Sequence, residues 1–295
     1  MSYEEYMLHY GVKGMKWGVR KEKDLASKVR NKVVGAAYAT GAKLNPREYK
    51  YRVKRALTKP SDFDNAITNM VQSESRRTGV LTSNKKLIEA VDRAGIQAHK
   101  NAVYNNLTKE DIKRFKKYTD SAAYSRTINS HLAIGEPPHV KDQARELKES
   151  LRKNSISNIT VYRSTALRFS TDGLRKKLDD YGEENLAEIF DAFDKNFKGK
   201  SFKENRVYST STSPSFAIDT WRKVNPNAAK TYNSYLVINC KGTPGILADG
   251  RTSDGKKLVN TRSNQEGILA PNKMTYRKIA WDPDRRMFAV HMDAE

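Results

Sequence analysis

Three stretches of the chain carry side chains able to do chemistry, in a fixed order: "VYRS" brings Arg163, "VYSTSTS" brings Ser209, Thr210 and Ser211, and "NQEGILA" brings Glu266. A guanidinium can hold phosphate oxygens by paired hydrogen bonds, a carboxylate can stabilise growing positive charge, and a hydroxyl can aim either one. Taken singly, each has a plainer reading. An arginine near a strand end is usually a surface cation, a hydroxyl run is usually an edge strand or turn, and a loop glutamate is usually a solvated charge. Their combination on one half of the chain is what sets them apart.

Other chemistries are excluded by residue type. "GRTSDGKK" from Gly250 has the G-x-x-x-x-G-K spacing of a phosphate loop, and "GILADGRT" from Gly245 nearly does. The first has Lys257 where a metal-binding Ser or Thr belongs, the second has Arg251 in place of the lysine, and no amphipathic helix follows either. Residues 249–265 therefore read as a flexible loop leading to Glu266. A single cysteine excludes an intrachain disulfide and a multi-cysteine zinc site, and Cys240, inside the apolar run "YLVINC", reads as a buried thiol. The five histidines, at 9, 99, 131, 139 and 291, show no ligand spacing, so no metal is expected.

The elements that must position these residues divide into a helical first part and a strand-rich second part. "KLIEAVDRAGIQAHKNAV" reads as a helix with Leu87, Ala90, Val91 and Ile96 near one face. A helix is expected after Thr108, where Asp111 stands three positions on as in a capping box. Another is expected around Tyr124 to Leu132, and a third after "GEPPH", where Val140, Ala144, Leu147 and Leu151 recur at helical spacing. "NITVYRST" reads as a strand ended by Arg163. Helices follow at "DGLRKKL" and "EENLAEIFDAFDKNF", the second with Leu186, Ile189, Phe190, Phe193 and Phe197 on an apolar face. Thereafter "RVYSTS", "SYLVINC", "EGILA", "TYRKIAW" and "MFAVHM" read as strands between Gly, Pro and Asn turns. The expected organisation is a segment at 1–20, a basic, mostly helical region at 21–106, and a domain at 107–295.

The chain has 295 residues, 37% of them hydrophobic, which is enough for a substantial core. Its formal net charge is +21, and residues 1–60 carry 15 Lys and Arg against 5 Asp and Glu, so much of the excess lies in the first fifth. Such charge favours anionic partners without naming one. The longest fairly apolar stretch, Val33 to Ala42, is far short of the roughly 18 residues of a membrane span, so no membrane partner is expected. The opening "MSYEEYMLHY" lacks the features of a secretory signal.

The chemical residues and their neighbours resemble the arginine–serine–glutamate class of ADP-ribosyltransferases, the clostridial-type exoenzymes and their phage relatives. "KYTDSAAYSRTINSHL" (117–132) is similar to the family's Tyr-Thr…Ile-Asn helix, "VYRS" to its arginine strand, "YSTSTSPSFA" to its Ser-Thr-Ser strand, and "NQEGILAPNKMTYRKI" to its glutamate strand. The resemblance implies an α+β fold, a core of two packed β-sheets with surrounding helices, and NAD as substrate without a metal. It implies that Arg163 holds the diphosphate, that Glu266 binds the ribose and stabilises its growing positive charge, and that Ser209 orients that carboxylate while Thr210 and Ser211 hold the strand. It also carries Asn129 into the NAD pocket, with Ser125 one turn earlier. In related enzymes an aromatic residue and a second arginine after the Ser-Thr-Ser strand contact nicotinamide and phosphate. Arg222 is carried forward for the arginine; Tyr118, Phe216 and Trp221 are weaker candidates.

One departure bears on the acceptor. Two residues before the glutamate the family generally has Glu or Gln, whereas this chain has Asn264, followed by Gln265. A carboxylate there can orient and deprotonate a guanidinium; an amide can only hydrogen-bond the acceptor. Transfer to arginine is therefore not implied, and hydrolysis of NAD by a glycohydrolase is the alternative reading. "YGVKGMKWGVR", in residues 1–20, is in turn similar to tags on proteins from the head-gene regions of tailed phages and prophages. That resemblance implies a phage-encoded chain present in the virion and the host cytoplasm, a capsid partner bound through residues 1–20, and a host protein or nucleic acid as acceptor. A non-enzymatic head-associated protein is the rival expectation.

Overall fold

The computed structural model describes residues 60–165, 186–220, 234–259 and 265–295. Helix α1 (Pro60–Thr78) leads to α2 (Lys85–Asn101), which starts where the Asn84 side chain accepts hydrogen bonds from the backbone N–H groups of Lys86 and Leu87. After the short strand β1 (Val103–Tyr104) come α3 (Lys109–Asp120), α4 (Ala122–Ile134) and α5 (Lys141–Arg152). The expected capping box opens α3: the Asp111 backbone N–H donates to Thr108 Oγ1, and the Asp111 carboxylate accepts from the Thr108 backbone. Val140, Ala144, Leu147 and Leu151 are all buried, as their spacing predicts.

The strands follow in the order β2 (Ser155–Thr165), β3 (Ser201–Lys203), β4 (Tyr208–Ser211), β5 (Ser234–Leu247), β6 (Arg251–Thr252), β7 (Glu266–Leu269), β8 (Lys273–Asp282) and β9 (Met287–Ala294), with α6 (Leu186–Asn196) between β2 and β3. Seven strands form one sheet in the order β2-β4-β7-β5-β9-β8-β3, and the long strand β5 changes partners along its length. Its first part pairs antiparallel with β2 and parallel with β9, beyond which lie β8 and β3; its last residues, Gly245–Leu247, pair instead with β7, which pairs with β4. The strand can change partners because Gly245 has no side chain: a Cβ there would lie 2.5 Å from the Ile268 carbonyl oxygen. A single pairing of Tyr162 with Ser211 joins β2 to β4, so the arginine strand and the hydroxyl strand meet at the seam. The architecture is α+β, with one seven-stranded sheet that folds back on itself so that β2 pairs with both β4 and β5, and a separate pair of β1 and β6.

Strand β5 is apolar at successive positions because both of its faces are covered. Tyr235 and Val237 pack with Val71, Leu87, Ile88 and Val91 of α1 and α2, while Leu236, Ile238 and Cys240 pack with Ile189 and Phe193 of α6. Helices α3 to α5 cover β7 and the end of β5 through Phe115, Leu147 and Leu151 against Ile246 and Ile268.

Four details differ from expectation. Arg163 does not end its strand, since β2 runs from Ser155 to Thr165 alongside β5. Ile96 is 42% exposed, because five residues of helix place it about 140° around from Val91; Gly95 and His99 are buried instead. The loop after β5 forms β6, paired with β1, and a turn closed by the Thr252 and Lys256 backbones. The expected boundary at Asn106 meets continuous packing, since α2 on one side of it shares a core with β2, β5 and β9 on the other. Leu87, Ile88 and Val91 are each nearly fully buried there, a burial worth about 1.5–3 kcal/mol per side chain before the entropy of ordering is subtracted. The expected helix at "DGLRKKL" and the segment at 1–20 lie outside the described residues.

Candidate active site

The site forms where β2, β4 and β7 meet. Ser211 is paired with Glu266 and Ser209 with Ile268, so Ser209 and Glu266 are diagonal neighbours on one face of the ladder. The Ser209 hydroxyl donates a short hydrogen bond to Glu266 Oε1, and Arg163 Nη1 donates to the Ser209 carbonyl oxygen at 2.6 Å. Ser209 thus holds the arginine with its backbone and the glutamate with its side chain. The second oxygen of Glu266 and the remaining N–H groups of Arg163 have no partner among the described residues. The guanidinium also lies 5.4 Å from the Tyr208 ring centroid, a cation–π contact that steadies it.

Burial raises the Glu266 carboxyl above the usual carboxylate range; the Ser209 hydroxyl and Arg163 oppose this, and Asp249 and Asp120 add to it. The carboxylate is therefore poorly solvated and held in one direction, a setting in which it interacts strongly with nearby positive charge.

Two cavities adjoin at Arg163. One, about 220 Å³, is lined by Tyr162, Arg163, Ser209, Ser211 and Phe216; the other, about 290 Å³, by Arg163, Arg206, Tyr208, Asn129 and Tyr276. Each is just below the common range of roughly 300–1,000 Å³ for a ligand pocket, and Arg163 lines both. In the larger one, Arg206 forms a two-pronged ion pair with the Glu204 carboxylate. Burial would raise the Glu204 pKa, yet hydrogen bonds from Arg206 and Tyr208 hold it below its ordinary value. A second guanidinium is thereby fixed beside Arg163.

The other hydroxyls of the run serve the scaffold. Thr210 Oγ1 donates to the Gly267 carbonyl, Ser211 Oγ accepts the Ser213 backbone N–H, and Thr212 Oγ1 donates to the Gln265 side chain. Asn129 lines the larger cavity, but its amide is engaged: its oxygen accepts the Val207 N–H, its nitrogen donates to the Tyr118 hydroxyl, and that hydroxyl donates to the Val207 carbonyl. This closed set pins the entry to β4. Tyr118 is accordingly buried scaffold. The structure does not bring Ser125 to either cavity; its hydroxyl bonds the Ala122 carbonyl within α4, as short hydroxyls on helices commonly do. Phe216 lines the smaller cavity. Trp221, Arg222 and Asn264 lie outside the described residues. Nothing in the sequence distinguishes Arg206 from the other basic residues, and only its place in the cavity marks it. Among the described residues no group of three or more His, Cys, Asp or Glu is arranged to hold a metal, and no helix is long and apolar enough to cross a membrane.

An arginine, a hydroxyl strand and a glutamate gathered where β2, β4 and β7 meet define a site of the ADP-ribosyltransferase type. The chain belongs to the ADP-ribosyltransferase exoenzyme family, whose model matches residues 95–277. A separate model, a family of unknown function (DUF7211), matches residues 1–24. No curated protein matches the sequence. Similar solved structures include the Clostridium limosum C3 exoenzyme, at 16% identity and a TM-score of 0.47 over 70% of this chain and 94% of that one. A C3 protein from S. aureus, solved with NAD, is similar at 14% identity and a TM-score of 0.46, over 72% of this chain and 97% of that one. An ADP-ribosyltransferase from Clostridium botulinum is similar at 15% identity and a TM-score of 0.45, over 72% of this chain and 96% of that one.

Proposed function

We propose that the protein transfers a single ADP-ribose from NAD to a macromolecule of a host cell, and that it is phage-encoded. The observation that carries this reading is the double use of Ser209, which ties Glu266 to Arg163, the residue that lines both cavities. Arg163 would hold the diphosphate with the N–H groups not given to Ser209. Glu266 would bind a ribose hydroxyl through its second oxygen. As the bond from C1′ of the ribose to nicotinamide breaks, its electron pair leaves with nicotinamide and positive charge grows on the ribose. The Glu266 carboxylate attracts that charge more strongly in the transition state than in bound NAD. A lone pair of the acceptor then forms the new bond to C1′, and the acceptor loses a proton.

The family match over 1–24 supports a distinct N-terminal segment, and we read it as a docking tag for a capsid partner, so that the chain is carried in the virion and acts in the host cytoplasm. Two experiments test the proposal. Incubation with NAD labelled in the adenosine half, in host lysate, predicts label that stays on protein or nucleic acid after denaturation; label found only as free ADP-ribose makes the protein a glycohydrolase. Deleting residues 1–20 predicts fewer copies per particle, and an unchanged number refutes the tag.

A further inference from the structure

Helix α2 precedes all three chemical strands, yet three of its residues grip the segments that carry the site. The Asp92 carboxylate accepts hydrogen bonds from Ser213 Oγ at 2.8 Å and Ser215 Oγ at 2.5 Å, just beyond β4. Gly95 brings the helix so close that a Cβ there would lie 2.3 Å from Gln265 Oε1 and 2.6 Å from Thr212 Oγ1. His99, one turn on and buried, accepts the Asp249 backbone N–H at Nδ1, 3.4 Å away. Burial lowers its pKa to about 4, against the opposing charge of Asp249 and the Gln265 backbone, so the ring is neutral at pH 7. Spacings of three and four residues put Asp92, Gly95 and His99 on one stripe of the helix.

The stripe closes on the residue immediately before Glu266. Gln265 has a φ of 49°, in the left-handed region that is strained for a residue with a side chain. Thr212 holds it twice, donating its hydroxyl to the Gln265 side chain at 2.8 Å and its backbone N–H to the Gln265 carbonyl at 3.0 Å. A conformation of this kind persists only where its surroundings over-determine it, and such positions cluster at active sites. Because the side chain of Gln265 is turned inward and buried, it is excluded from contact with an acceptor.

We propose that the Asp92–Gly95–His99 face of α2, acting through Thr212, is a positioning element for Glu266: it locks the left-handed turn at Gln265, and that turn sets the direction from which the carboxylate enters the cleft. The inference rests on Glu266 being catalytic, so the test carries Glu266→Gln beside the positioning variants. Thr212→Val keeps the shape and the backbone bond but removes the hydroxyl donor, Thr212→Ser restores it, and Gly95→Ala drives a methyl into the contact. For NAD cleavage by the full chain, Thr212→Val is expected to lower kcat by about tenfold or more, since a misplacement of about 1 Å can cost ~100-fold. Its KM for NAD stays within about twofold, because Arg163 and the Ser209 carbonyl are untouched, and Thr212→Ser recovers most of the lost kcat. Gly95→Ala follows Thr212→Val; should it not fold, the Thr212 pair decides. A Thr212→Val enzyme with the parent's kcat, or one whose only change is a lower melting temperature, overturns the positioning role provided that Glu266→Gln is inactive. Full turnover by Glu266→Gln instead overturns the catalytic reading beneath it.

Discussion

Replacing Ser209 by alanine removes one hydroxyl and leaves the backbone carbonyl that Arg163 uses, so it separates the two halves of the site. The Glu266 carboxyl is raised by burial and held back by the Ser209 hydroxyl and Arg163. A hydrogen bond to a charged group is worth about 1.5–3 kcal/mol. Losing the bond should therefore lift the Glu266 pKa further, because one of the groups that holds it down is removed. In the proposed mechanism the carboxylate form stabilises the cationic transition state, so activity is expected above the pKa and is lost as pH falls through it. Ser209→Ala is accordingly expected to move the acid limb of kcat/KM for NAD cleavage to higher pH. Its plateau kcat falls as well, because the carboxylate is no longer aimed, while its affinity for NAD stays near the parent's. The assay is initial-rate nicotinamide release between pH 4.5 and 9. An acid limb that stays in place, or moves to lower pH, refutes the coupling of Ser209 to the glutamate.

Arg163→Lys keeps the charge but loses the planar fork; NAD affinity, measured by titration calorimetry, should fall by roughly tenfold with little change in melting temperature. Two buried histidines set a stability window. Burial lowers His99 and His291 to about 4, so the folded state keeps both neutral while the unfolded chain protonates them near 6.5. Stability present above pH 6.5 is lost as pH falls from 6.5 to 4, by roughly 3 kcal/mol for each histidine, and urea unfolding at intervals across that range should show it. A flat profile contradicts the neutral assignment, and His291→Gln should remove about half of the slope.

What can be read in the sequence is what depends on local periodicity or on a residue's own chemistry. Thr108 and Asp111 close their capping box within one turn, and the apolar strands declare themselves by composition because both faces of β5 are covered. Arg163, Ser209 and Glu266 are legible because the motifs around them resemble those of the arginine–serine–glutamate ADP-ribosyltransferases, and the structure joins them through Ser209. What escapes is what only the tertiary arrangement creates. Arg163 reads as a strand end because nothing local shows that β5 continues beside it to Ser234. Asp92, Gly95 and His99 look like ordinary helix residues, and their contacts with Ser213, Gln265 and Asp249 span more than a hundred positions of chain. Ser125 shares a helix with Asn129, yet its hydroxyl is spent on its own helix backbone. Arg206 becomes notable only once Glu204 fixes it in the cavity that Arg163 also lines.

The central claim is that the Glu266 carboxylate stabilises the breaking nicotinamide–ribose bond in a cleft where Arg163 holds the dinucleotide. The most direct test is Glu266→Gln, with NAD binding and nicotinamide release measured on the same folded sample. Near-parental binding with turnover lowered by about a hundredfold or more, the scale of losing one preorganised electrostatic group, is the predicted result. Binding and turnover both unchanged would contradict it.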